Sequence, residues 1–170
     1  MSRAFVKEPD GDEAGDDLPE RAASPHPNYI TPEGLSGLQA RIEALEGERQ
    51  TIGEDNEDLE TQGRRRQLTR DLRFLYQRRE QALVVDPALQ QRDVIRFGAS
   101  VMLADADGAT HAFTIVGEDE TCAPRRRISW VSPLAQALLG RTTGDTVLWE
   151  RPAGCLELQV LAFNYSEVLR

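Results

Sequence analysis

Ile128-Ser129-Trp130-Val131-Ser132-Pro133-Leu134-Ala135-Gln136-Ala137-Leu138-Leu139-Gly140-Arg141, closed by Gly144-Asp145, is the stretch of this 170-residue chain that decides its fold. β-Branched and aromatic residues make 127–131 a strand. Ser132 offers a side-chain oxygen to cap a helix, Pro133 presets the backbone of its first turn, and 134–139 supply the helix itself. Gly140 is placed to end that helix, and Gly144-Asp145 to turn the chain back. A strand that feeds a short capped helix and then a turn points to an α+β unit.

On both sides of this stretch the period is that of strands. Residues 94–104 are apolar, Asp105-Ala106-Asp107-Gly108 is a turn, and 111–116 return as a hairpin partner. Downstream, 146–150 form a strand. After Pro152-Ala153-Gly154, the residues Leu156, Leu158 and Val160 alternate with Glu157 and Gln159. The expectation for residues 87–170 is a twisted antiparallel sheet with one short helix.

Upstream the period changes to that of helices. Thr31-Pro32-Glu33 starts a helix, with an acid at the positive end of its dipole. Leu35, Leu38, Ile42 and Leu45 then line one side, and Ile52 extends the row. A polar, acidic break spans 53–63. A second row follows at Leu68, Leu72 and Leu75, with Ala82 and Leu83 beyond Arg79. Two apolar stripes joined by a polar break predict an antiparallel coiled-coil hairpin over residues 30–86, closed by Val84-Val85-Asp86-Pro87. Helix one should run over 31–52 and helix two mainly over 64–83, with part of the acidic break continuing helix two.

Residues 1–29 hold seven carboxylates (Glu8, Asp10, Asp12, Glu13, Asp16, Asp17, Glu20) against Arg3, Lys7 and Arg21. With so little apolar surface to bury, they read as a disordered acidic tail, in which His26 between two prolines is solvated. The whole chain has a formal charge of −9. That makes it a poor general ligand for duplex DNA, which is bound by phosphate neutralisation, and favours a protein partner. Cys122 and Cys155 lack CxxC spacing, so they read as free thiols in a reducing cytosol. No apolar run approaches a membrane span and 1–7 lack the apolar core of a signal peptide. A cytoplasmic monomer is the expectation.

The quoted stretch, the Pro152-Ala153-Gly154 turn, Phe97-Gly98-Ala99 and the pair Asp107-Gly108 and Phe113-Thr114-Ile115-Val116-Gly117 together resemble the GreA/GreB family of transcript cleavage factors. The family pattern there is a strand leading into S-P-(L/M)-(A/G)-x-A-L-(L/I)-(G/K)-(K/R), then G-D and a P-x-G turn. The likeness covers the C-terminal domain throughout and the hairpin more loosely. It implies an FKBP-like domain that docks on the rim of the RNA polymerase secondary channel, and a coiled coil that enters the channel. It also implies tip acids that help to hold a second magnesium in the polymerase active site, where backtracked RNA is cleaved. Hard magnesium takes oxygen ligands, and a second ion suits in-line phosphoryl displacement. The chain would bind no cofactor alone.

Family tips read roughly D-x-x-E-N-A-(D/E)-Y. Here the run is Glu54-Asp55-Asn56-Glu57-Asp58-Leu59-Glu60, so Glu54 and Glu57 fit the spacing and Asp55 and Asp58 fit an alternative register. The aromatic that normally follows is absent, and the bland reading is a solvated acidic loop. Arg64, Arg65, Arg66, Arg70 and Arg73, with Arg78 and Arg79 beyond them, offer phosphate contacts to the nascent RNA of a backtracked complex. Equally, they suit a solvated flank paired with Glu33, Glu43, Glu46 and Glu48. Ser132 and Pro133 start a helix whatever the function. The resemblance makes them, with Trp130, the polymerase contact, although Val131 stands where relatives often have Asp.

Two other functions compete with cleavage stimulation. Gre hairpins have a first helix longer by several turns, so this chain could be a channel binder of the Rnk type, with a short hairpin and no cleavage. A prolyl isomerase is suggested by the FKBP-like fold alone, and fold alone does not give function.

Overall fold

The computed structural model describes residues 24–52 and 58–165. The acidic segment 1–23 and the stretch 53–57, with Glu54, Asp55 and Glu57, lie outside them.

Two helices come first. Helix α1 (Pro32–Ile52) and helix α2 (Leu59–Glu80) pack as a hairpin through Leu38 and Ile42 on one side and Leu72 and Leu75 on the other. Leu68 is fully buried as well. The Thr31 hydroxyl accepts from the Gly34 amide at 3.0 Å, which satisfies one of the donors that a helix start leaves open. Helix α2 starts five residues earlier than the apolar row suggested, because Leu59–Gly63 continue it, and it stops at Glu80. Ala82 and Leu83 therefore fall outside it. Strand β1 (Tyr29–Ile30) pairs in parallel with β2 (Leu83–Val84) and ties the two ends of the hairpin together.

The sheet that follows contains β3 (Ser100–Asp105), β4 (Thr110–Val116), β5 (Arg127–Ser129), β6 (Thr146–Arg151) and β7 (Gly154–Asn164), in the order β5-β4-β3-β7-β6. It is antiparallel except at one edge, where β5 runs parallel to β4. The chain between those strands winds through two 3₁₀ turns, Glu118–Glu120 and Ala123–Arg125, and so re-enters the sheet in its starting direction. Helix α3 (Pro133–Leu138) lies against the sheet and buries Leu134, Ala135 and Leu138 with Val101, Leu103, Ile115, Leu158 and Val160. Gly140, at φ +80°, supplies the left-handed turn after that helix.

The strand expected over 94–104 begins only at Ser100. Residues 94–96 commit their backbone groups elsewhere. The Ile95 amide donates to the Arg141 carbonyl and the Gly140 amide to the Ile95 carbonyl, both at 2.8 Å. The Tyr165 hydroxyl donates to the Val94 carbonyl at 2.7 Å. With those partners the segment has no need of a sheet neighbour.

Candidate functional site

The helix-start loop is built as its sequence indicates. Ser132 accepts from the Ala135 amide at 3.3 Å and Pro133 follows in the first turn. Pro133 and Gln136 face solvent while Leu134 and Ala135 point into the core. Trp130, expected at the polymerase contact, is also a packing residue. It packs half-buried on the sheet core, and its outer side carries Tyr29 (ring centroids 5.1 Å apart) and His26 (5.9 Å). His26 is thus exposed but engaged. Tyr29 reaches on to Phe97 at 5.9 Å, so an aromatic patch runs from this loop to the base of the hairpin.

The arginines of α2 divide by helix geometry. At 100° per residue, Arg66, Arg70 and Arg73 fall within about 60° of one another, on the face opposite Leu68, Leu72 and Leu75. They form an outward basic face. Arg64 and Arg65 instead flank the seam, and Arg64 pairs with Glu48 of α1 at 2.7 Å. Arg64 thus makes the flank pairing foreseen with helix one. Nearby, the Tyr76 hydroxyl donates to Glu46, and that bond pushes the phenol above its ordinary pKa.

Of the proposed tip acids, only Asp58 lies among the described residues. It occupies the residue before α2, exposed, with the Thr61 hydroxyl donating to it at 3.4 Å. A carboxylate is favoured at that end of a helix by the dipole. Among the described residues no group of three or more His, Cys, Asp or Glu side chains comes together that could hold a metal ion. His111 is a satisfied strand residue, 3.1 Å from the Asp105 carboxylate, whose pKa that bond lowers. Cys122 and Cys155 are free thiols. No described helix is long and apolar enough to cross a membrane.

Sequence reasoning missed the joint between hairpin and sheet. Residues 24–29, read as the end of the tail, are fastened: Asn28 is buried and Ser24 donates to Glu118 at 3.0 Å. Arg78 is one of the seven arginines of the second helix, yet its side chain is 6% exposed. Its guanidinium bonds Asn28 and Asp119, the latter at 2.7 Å, and the Asn28 amide donates to the Arg78 carbonyl at 2.7 Å. Glu120 is also buried and accepts from the Thr31 amide (2.9 Å), the Thr31 hydroxyl and the Gly117 amide (3.2 Å). A sequence clue existed, since an arginine three residues past Leu75 sits where the apolar seam should continue.

A two-helix arm with a basic outer face is thus fixed to a small sheet domain with an exposed capping loop. The family profile "Transcription elongation factor, GreA/GreB, C-term" matches residues 90–165. The transcription elongation factor GreB of Neisseria meningitidis serogroup A is 35% identical over 156 residues, covering 83% of this chain and 96% of that protein. GreA of Desulfovibrio desulfuricans is 31% identical over 151 residues, covering 81% and 93%. The chain belongs to the GreA/GreB family of transcription elongation factors. Gre factors are not enzymes in their own right; they stimulate the cleavage activity intrinsic to the polymerase.

The alignment with the Neisseria protein has a further feature. It spans 156 positions but takes up 83% of 170 residues, about 141, so the relative carries about 15 residues there that this chain lacks. Against the Desulfovibrio protein, 151 positions take up 81%, about 138, a shortfall of about 13. Among solved structures, the GreA/GreB factor of Nitrosomonas europaea aligns over 82% of this chain and 99% of its own, at 20% identity and a TM-score of 0.41. The GreA factor homolog 1 (Gfh1) of Thermus thermophilus does so over 82% and 99%, at 22% identity and 0.40.

Proposed function

We propose that the protein binds RNA polymerase through its secondary channel, in the cytoplasm, and stimulates cleavage of backtracked transcripts to rescue arrested complexes. The observation that carries this reading is the hairpin itself. Two packed helices are separated in sequence by the acidic run 53–58, and the second bears the outward face of Arg66, Arg70 and Arg73. Glu54 and Glu57 (or, in the other register, Asp55 and Asp58) would add carboxylate oxygens to a magnesium that belongs to the polymerase. That ion supplies Lewis acidity and activated water when bound. The arginine face would hold phosphates of the extruded RNA. Ser132, Pro133 and Trp130 would hold the FKBP-like domain on the channel rim, and none of them takes part in the chemistry.

The division of labour makes the test direct. Glu54→Ala/Glu57→Ala should abolish stimulated release of the RNA 3′ fragment from backtracked complexes and leave polymerase binding unchanged, since the docking residues lie in the other unit. Wild-type cleavage by that double variant would overturn the assignment. One observation favours a second reading, a channel binder that does not stimulate cleavage. Helix α1, at 21 residues, is about 32 Å long, and this chain lacks about 15 residues that the Neisseria relative carries within the matched span. A shorter arm holds its acids further from the polymerase centre.

A further inference from the structure

One turn of the sheet domain, Glu118-Asp119-Glu120, grips both ends of the hairpin. Glu120 takes the start of α1 through the amide and hydroxyl of Thr31. Asp119 takes the end of α2 through the Arg78 guanidinium, and Glu118 lies 3.8 Å from the same group. We propose that Asp119, Glu120 and Arg78 are positioning residues, which set the direction of the hairpin relative to the docking domain and so the place its far end reaches in a bound polymerase. This inference rests on the reading that the hairpin acts inside the polymerase.

The contacts are of the kind that fix an angle. Apolar packing is non-directional, and the β1–β2 ladder is only two residues long on each side. Hydrogen bonds to charged groups are directional and short, and a buried ion loses stability when its partner is removed. Packing closes the remaining freedom. A β-carbon on Gly34 would lie 2.2 Å from the Glu120 carboxyl carbon, and one on Gly117 would lie 2.3 Å from the Tyr29 carbonyl oxygen. The start of α1 and the strand that leads into it are therefore seated against the turn with no room for a methyl group. Lever length makes this matter, because a 10° tilt at the joint moves the end of a 32 Å helix by about 5–6 Å. A displacement of 1 Å can already be costly in a catalytic arrangement.

The test uses the full chain with spin labels on Cys155, which is exposed, and on Gln50→Cys near the far end of α1, in a Cys122→Ser background. Arg78→Met and Asp119→Ala remove the ionic grip. Gly34→Ala keeps every charge and improves helix propensity, yet must displace Glu120. Each variant should keep its helical circular dichroism, and the label distance should shift or broaden by about 5 Å. At saturating factor, RNA cleavage should fall tenfold or more while the half-saturating concentration changes less than twofold. Asp119→Glu should restore much of the loss. Unchanged distances in all three variants would overturn the proposal, as would altered distances with full cleavage. If the wild-type protein stimulates no cleavage, the functional reading fails separately, and the distances on the free protein still decide whether this turn sets the hairpin direction.

Discussion

The sheet domain and the hairpin are built from the same aliphatic residues but are held together differently. Among the described residues, twelve buried side chains form the core between the sheet and α3, from Ile95 to Tyr165. The hairpin cluster has five, Ile30, Leu38, Ile42, Leu72 and Leu75, along one narrow seam. A sheet with a helix across it closes on all sides of its core. Two helices have only each other, so their outer faces stay wet and polar. The hairpin must therefore borrow order from the sheet domain at its base, where Arg78 and Glu120 do that work. A well-filled domain that carries a thin arm is what the proposed docking and reaching require.

Core truncations should break this comparison most visibly. Leu103→Ala, at a fully buried position of β3, should cost about 2–5 kcal/mol and lower the midpoint of the whole protein in urea. Leu72→Ala is the same chemistry in the hairpin. It should release amide protection in α1 and α2 while the amides of β3 and β7 stay protected, measured by hydrogen exchange. Equal loss of protection in both units from Leu72→Ala would show one cooperative core instead of two.

Smaller effects belong to the loop before α3. Ser132→Ala removes the cap and should cost about 1 kcal/mol. Ser132→Asp keeps a capping oxygen, so its stability should match wild type while the added charge weakens polymerase binding in a pull-down. Undiminished binding by Ser132→Asp would remove this loop from the docking surface. The smallest effect concerns Asp105, which accepts from His111 and from the amides of Asp107 and Ala109. These bonds hold its pKa below the ordinary carboxylate value, with the His111 bond the largest cause. Its contribution is present above about pH 3.9, the unfolded value, and is lost as pH falls through the lower folded value. The melting difference between wild type and Asp105→Asn should therefore be visible at pH 6 and shrink towards pH 2. A difference that grows on acidification would contradict that sign.

Local chemistry was legible in the sequence. Thr31-Pro32 and the 3–4 spacing of Leu35, Leu38, Ile42 and Leu45 gave a first helix over 31–52, against Pro32–Ile52 in the structure. Ser132-Pro133 gave α3 with its cap. Features set by distant partners were not legible. The bond between Glu120 and Thr31 spans 89 positions, and Arg78 and Asn28 are 50 apart. No period or turn residue marks such a pair, so buried ions looked like ordinary surface charge. The parallel edge at β5 depends on how ten residues fold between strands, and composition does not state a direction. Trp130 and Ser132 could be placed because a helix start is local; the acids Glu54 and Glu57 were identified by spacing and resemblance alone.

Reach is the point on which cleavage and mere channel binding part. The direct measurement is the rate of RNA 3′-fragment release from backtracked polymerase, with the native protein and with a version lengthened by one heptad in each helix, which keeps the apolar seam in register. The account predicts slow but definite stimulation by the native hairpin, faster release with the longer arm, and loss of both in Glu54→Ala/Glu57→Ala. Binding without stimulation by either length would contradict it and leave a factor that occupies the channel without cutting.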